Sequence, residues 1–197
     1  PQSATFKSKV VLIDYDPILF HPMGDEADYL AARGASWETH LCRSAEDVLA
    51  VARDADVVAV QTVRPLLTRE VLAQLARCRC TIRAGAGYDS IDYKAATEMG
   101  IMVCNTPTYC TDDVADNAIA HMLASVRHLA RLDVAMRQNN WARELAIPTR
   151  RITGSTLGII GLGRIGSRVA KRMGSWDITI LAYDPYITQE QADLVGA

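Results

Sequence analysis

The chain has 197 residues, 49 % of them apolar and 22 % charged, the composition of a folded protein with one large domain or two small ones. Its net charge of −2 argues against a nucleic-acid-binding surface or a membrane-attracted face, so neither partner is expected. The apolar runs are strand-length, the opening "PQSATFKSKVVLIDYD" lacks a secretion signal's long apolar segment, and five cysteines are an odd count for a disulfide framework, so the expected location is the cytoplasm.

Strand-like and helical patterns alternate from the start. "KVVLIDYD" (Lys9–Asp16) and "DVVAVQ" (Asp56–Gln61) are short, rich in β-branched residues and polar at their ends, as buried parallel strands are. Between them a helix carries Val48, Leu49, Ala52 and Ala55 on one face, opened by a capping-box variant of Ser44 and Asp47. The pattern predicts a helix near Arg69–Ala76, a strand near Thr81–Arg83, a helix near Tyr93–Met99 and a strand near Met102–Cys104. Such alternation implies right-handed crossovers and a parallel sheet covered on both faces.

A longer helix is expected after "NTPTYCT", with Thr111 as its cap and Asp112 and Asp113 in its first turn. Its buried stripe would run Ala115, Ala118, Ile119, Met122, Val126 and Leu129. The stretch "RQNNWARELAIPTRRITGS" reads as a linker that Trp141 packs down. A second α/β unit then begins with the strand Thr156–Ile160. The reading therefore divides the chain into two domains, 1–104 and 105–197.

That second unit holds the most informative stretch. Gly161, Gly163 and Gly166 follow a predicted strand and open a predicted helix, Arg164–Met173. A further strand, "DITILAYD", ends in Asp184, 18 residues past Gly166. This is the strand–loop–helix–strand–acid arrangement of a dinucleotide site. Gly161 permits the tight turn, Gly163 lets backbone approach a pyrophosphate, and Gly166 lets helix and strand pack closely. The helix N-terminus offers its N–H groups to phosphate. Asp184 is placed to accept from the adenosine ribose hydroxyls, and a carboxylate there repels a 2′-phosphate, which favours NAD over NADP.

The remaining candidates are less specific. "RAGAGYDSID" (Arg83–Asp92) is a second glycine-rich turn whose backbone N–H groups at Ala86 and Gly87 form a small nest for an anion, or else an ordinary loop; Asp89 and Asp92 read as caps of the next helix. Cys78 and Cys80 have no second pair at zinc spacing and read as structural thiols, and Cys110 has no base or second thiol nearby. No metal site is expected. Of His21, His40, His121 and His128, the last two fall on the long helix without a partner carboxylate at triad or metal spacing. The residues alone define a nucleotide-binding α/β protein and supply no reaction mechanism.

Taken in order, "IRAGAGYDSIDYKAATEMGIMVCNTP", "DDVADNAIAHMLA", "NNW" and "TLGIIGLGRIG…YDPY" resemble the D-isomer-specific 2-hydroxyacid dehydrogenase family, from near residue 56 to Tyr186. The nearest branches are phosphoglycerate-dehydrogenase-like and C-terminal-binding-protein-like. The resemblance implies an α/β fold with parallel sheets: a flavodoxin-like N-terminal substrate domain and the first part of a Rossmann NAD-binding domain. It implies hydride transfer between NAD and C2 of a small 2-hydroxy or 2-keto acid. It assigns Ala86 and Gly87 to the substrate carboxylate, Arg164 and Ile165 to the pyrophosphate through their backbone N–H groups, and Asp184 to the ribose. It further implies a homodimer built through the NAD-binding domain. Asp116 stands where many members carry glutamate. The family's catalytic arginine, glutamate and histidine follow the Asp184 position, so the expectation is a fragment of an enzyme of about 300 residues or more, with no catalytic residue in this chain and no turnover by it alone. A corepressor-like, NAD-binding protein without significant turnover is the alternative.

Overall fold

Valine-rich runs in the first half become parallel strands because both of their faces can be buried under crossover helices. The computed structural model describes residues 7–15, 25–61 and 64–197. By its internal contacts the chain separates into Pro1–Tyr109 and Cys110–Ala197. Asp16, at the end of the expected first strand, and His21 lie outside the described residues.

In the first unit the strands are β1 (Ser8–Ile13), β2 (Ala35–His40), β3 (Val57–Val60), β4 (Cys80–Arg83) and β5 (Met102–Asn105). All pair in parallel, in the order β2-β1-β3-β4-β5. This is a doubly wound sheet whose direction of winding reverses between β1 and β3. The register sets His40, Ile13, Val60, Arg83 and Asn105 in one row at the carboxyl end. The helices are α1 (Asp25–Ala31), α2 (Ala45–Ala52), α3 (Arg69–Leu72) and α4 (Tyr93–Glu98). Val11, Ile13, Val58 and Val60 are fully buried against Val48, Ala52, Leu67 and Ala95.

The capping box forms as expected: Ser44 accepts from the Asp47 N–H, and the Asp47 side chain takes the Ser44 N–H. Asp92 alone caps α4, accepting from the Ala95 N–H, so Asp89 is not a cap. The helix expected over Arg69–Ala76 closes early, at Leu72. Neither α1 nor β2 is anticipated by the sequence reading; "ASWETH" has few β-branched residues, and its burial is only partial.

The second unit comprises α5 (Thr111–Val126), α6 (Leu129–Arg137), a 3-10 turn (Arg143–Ala146), β6 (Thr156–Ile160), α7 (Arg164–Met173), β7 (Thr179–Tyr183) and α8 (Gln189–Asp193). Strands β6 and β7 pair in parallel across α7. The long helix does not reach Leu129. It ends at Val126 because His128 adopts a left-handed conformation (φ 57°), and the Arg127 and His128 N–H groups fold back onto the Leu123 and Ser125 carbonyls. Val126 and Leu129 are consequently exposed, and Ala118 is too, while Ile119 and Met122 pack on the core of Leu162, Ala170, Met173 and Ile180. Cys110 rather than Thr111 occupies the cap position. Trp141 stays 76 % exposed instead of packing the linker. Among the described residues no helix is long and apolar enough to cross a membrane.

One buried acid ties the first unit together. Asp56 accepts the Lys9 N–H at 2.8 Å and pairs with the Arg77 guanidinium at 3.0 Å, joining the start of β1 to the segment before β4. The Lys9 N–H bond, with Arg77 adding to it, holds the Asp56 carboxyl below the usual carboxylate range. A lowered folded-state value means that its contribution is present above the unfolded value of about 3.9 and is lost as pH falls through the folded one. D56A is expected to lower unfolding stability at neutral pH by about 1–3 kcal/mol, from the unpaired Lys9 N–H and Arg77. Urea denaturation should show the wild-type advantage shrinking on acidification below about pH 4.

Candidate functional site

The glycine turn of the second unit is built by three short-range constraints. Gly161 adopts φ +91°, which β-carbon-bearing residues avoid, and its N–H donates to the Tyr183 carbonyl at 2.8 Å. At Gly166 a β-carbon would lie 2.1 Å from the Gly161 carbonyl oxygen, so α7 seats against the turn only because that position is bare. Gly163, the residue before the helix, is different: a β-carbon there would meet nothing within 4 Å. Open space thus lies directly over the helix start.

Among the described residues the N–H groups of Gly163, Arg164, Ile165 and Gly166 have no acceptor. Four unused donors at the start of a ten-residue helix, with open space at Gly163, make a cradle suited to a phosphate or diphosphate. Asp184 ends the neighbouring strand and accepts from the Leu162 N–H (2.8 Å) and the Tyr186 N–H (2.9 Å). Each carboxylate oxygen retains a lone pair for a further donor such as a hydroxyl. The predicted residues Gly161, Gly163, Arg164, Ile165, Gly166 and Asp184 therefore meet around one turn. Asp116, read as a departure from the family pattern, pairs with Arg172 at 2.6 Å, and Asp112 pairs with Arg168 and Arg172, so α5 is pinned to α7.

In the first unit the turn after β4 is held by its carbonyls. The Asn105 side-chain amide donates to the Ala86 carbonyl at 2.8 Å, and the Thr106 N–H to the Gly85 carbonyl at 3.1 Å. The Ala86 and Gly87 N–H groups have no acceptor among the described residues. The half-buried Arg83 guanidinium lies over Gly85, where a β-carbon would come within 2.1 Å of Nη1, and Asp89 sits beside Gly87. The turn thus offers two N–H donors and a nearby cation, a nest for a carboxylate-sized anion.

The sequence reading missed a third feature, at the point where the winding reverses. Asp14 follows β1 in a left-handed conformation (φ 54°), is fully buried, and pairs with Arg43 at 3.3 Å and Arg64 at 3.7 Å. The signal was its position: in open parallel sheets ligands bind beyond the carboxyl ends of the strands that flank the reversal.

The other reactive side chains lie apart from these turns. Burial pushes the Cys42 and Cys78 thiols up, and burial with neighbouring Cys104 and Cys78 pushes Cys80 up to about 11. They are protonated structural thiols. His40 pairs with Glu38 (3.2 Å), which also meets Lys9; the His128 ring bonds the Pro148 carbonyl; His121 is exposed.

A family model described as "D-isomer specific 2-hydroxyacid dehydrogenase, catalytic domain" matches residues 17–193. The chain belongs to that family. It is 33 % identical over 180 residues to the D-3-phosphoglycerate dehydrogenase of Archaeoglobus fulgidus, covering 91 % of this chain and 34 % of the relative. The corresponding protein of Methanocaldococcus jannaschii is 38 % identical over 151 residues, 77 % of this chain and 28 % of its own. Among solved structures, the D-lactate dehydrogenase of Aquifex aeolicus, complexed with NAD and lactic acid, superposes with a TM-score of 0.78 at 27 % identity, over 93 % of this chain and 54 % of that one. The chain therefore spans about a third of the curated relatives' length and about half of the solved structure's.

The two glycines of α7's start should behave oppositely. G166A is expected to destabilise by about 1–3 kcal/mol, because its methyl runs into backbone. G163A has room and should cost less than about 1 kcal/mol. Urea unfolding of both variants checks the contrast.

Proposed function

We propose that the protein transfers a hydride between NAD and C2 of a small D-2-hydroxy or 2-keto acid, with residues 1–104 as its substrate domain and 105–197 as the first part of its NAD-binding domain. The observation that carries this reading is the open cradle at Gly163, lined by the unused N–H groups of the α7 start and flanked by Asp184, in a chain of the 2-hydroxyacid dehydrogenase family. The solved relative complexed with NAD supports the choice of cofactor.

When bound, the nicotinamide supplies or accepts the hydride. The chain's own residues do the holding. Arg164 and Ile165 donate backbone N–H groups to the diphosphate, and Gly163 permits its close approach. Asp184 uses its remaining lone pairs for the ribose hydroxyls and disfavours a 2′-phosphate. The Ala86 and Gly87 N–H groups hold the substrate carboxylate, with Arg83 adding positive charge beside them. We assign the family's arginine clamp, general acid/base histidine and glutamate to no residue of this chain. Location in the cytoplasm is part of the same proposal.

We also assign a homodimer contact to the second unit. Met136, Trp141 and Ile147, each at least half exposed, line a largely apolar groove of about 730 Å³, and Leu129 and Val134 of Met136's helix are exposed too. An apolar surface of that kind marks an interaction site, and a second copy is the partner that the family resemblance implies. Sedimentation should give a dimer, and W141E should shift it toward monomer.

The activity test uses the whole protein, with glyoxylate, pyruvate and hydroxypyruvate as oxidants of NADH. Turnover with at least one is expected. NADH binding without any turnover would instead favour the regulatory, corepressor-like reading. G163A should weaken NADH by about fivefold to a hundredfold, since a methyl intruding where the diphosphate packs costs on the order of 1–3 kcal/mol.

A further inference from the structure

The residue between the first two glycines of the turn is fixed on three sides. Its N–H donates to Asp184 Oδ2 at 2.8 Å, its carbonyl accepts from Ser167 Oγ at 2.9 Å, and its side chain is buried in the unit's core. Both peptide planes flanking Leu162 are therefore held, and with them its two backbone dihedrals.

The second of these planes matters most. A trans peptide sets its carbonyl and its N–H on opposite sides. The plane that carries the Leu162 carbonyl also carries the Gly163 N–H, so the Ser167 hydroxyl, by gripping one end, aims the other. That N–H has no acceptor among the described residues, and a β-carbon on the same residue would meet nothing within 4 Å. Ser167 reaches back from the first full turn of α7 and contributes no atom to the cradle itself.

We propose that Ser167, together with Asp184, is a positioning residue that sets the orientation of the Gly163 N–H toward the diphosphate of a bound dinucleotide. The inference rests on the NAD reading of this turn. It separates two jobs for Asp184. A carboxylate that only reads the ribose would, when removed, weaken NADH and admit NADPH. A carboxylate that also holds the Leu162 peptide would, when removed, loosen the turn itself, an effect that shows with no cofactor present.

The experiment pairs cofactor titration with amide hydrogen exchange on the full chain of the protein, comparing wild type with S167A, S167T and D184A. For S167A, one lost hydrogen bond is expected to raise the Kd of NADH and of NADPH by the same factor, about fivefold, and to speed exchange across Gly161–Gly163. S167T keeps the hydroxyl and should stay within about twofold of wild type on both counts. D184A should weaken NADH and, like S167A, speed exchange across Gly161–Gly163. The proposal is overturned if S167A matches wild type in either readout, if S167T behaves as S167A does, or if D184A leaves exchange across Gly161–Gly163 unchanged. Hydrogen exchange needs no cofactor, so a wild-type protein that binds neither dinucleotide would sink the NAD reading. Unchanged exchange in S167A would sink the clamp.

Discussion

Parallel pairing of short strands governs the rest of this molecule. Each parallel neighbour requires a crossover, each crossover here carries a helix, and every strand consequently ends at the same edge of its sheet. Helices begin just past that edge, where their first N–H groups have no partner within the helix. A fold made this way concentrates unused donors along one rim. The row His40, Ile13, Val60, Arg83 and Asn105 is that rim in the first unit, and Ile160 beside Tyr183 is its counterpart in the second. The two glycine turns and buried Asp14 all fall on it.

The two units differ in how fully this arrangement is covered. In the first, the central strands β1 and β3 bury their apolar side chains on both faces, and the one buried acid in the core segment before β3, Asp56, has its N–H and guanidinium partners. In the second, β6 and β7 bury one face only. Ile160, Leu181 and Tyr183 stand 91 %, 60 % and 69 % exposed on the other. A two-stranded sheet is marginal by itself, so the packing of α5 against α7, with its Asp112, Asp116, Arg168 and Arg172 pairs, carries much of this unit's order. Such pairs are exposed, and each contributes little; the core beneath them, Leu162, Ala170, Met173 and Ile180, contributes more.

Local sequence signals marked what depends on local physics. The Ser44–Asp47 box, strands β1, β3, β4 and β5 to within a few residues, and α7 itself were legible because capping chemistry, β-branching and glycine spacing act over a few residues. The cradle residues were legible for the same reason: Gly161 is bare because of its positive φ, and Gly166 because of contact within the turn. What escaped was set by partners distant in sequence. The break at His128 comes with its left-handed backbone and a ring-to-carbonyl bond to distant Pro148, and no periodicity of Ala115, Ile119 and Met122 announces it. Strand β2 is held by its register against β1 rather than by its own composition. Asp14 looks like any acid after a strand until the strand order shows where the winding reverses. Ser167 lies inside the predicted helix Arg164–Met173, and its spacing carries no separate signal.

The two turns reach one mechanical solution by opposite chemistry. In each, a side chain at the end of the next strand reaches across and fixes the turn's backbone. Asn105, ending β5, donates to the Ala86 carbonyl; Asp184, just past β7, accepts from the Leu162 N–H. The choice of residue follows from what must remain unused. Around Ala86 the carbonyls are tied down, so the N–H groups face outward, and a donor is the side chain that achieves this. At Leu162 an N–H is tied down, so an acceptor is required, and Ser167 supplies the donor for the carbonyl that follows. The donors left over, Ala86 and Gly87 in one turn and Gly163 to Gly166 in the other, are held by rigid neighbours before any anion arrives. An anion meeting such a turn loses little to reorganisation, which is why fixed backbone dipoles on strand ends serve binding better than longer, freer side chains do.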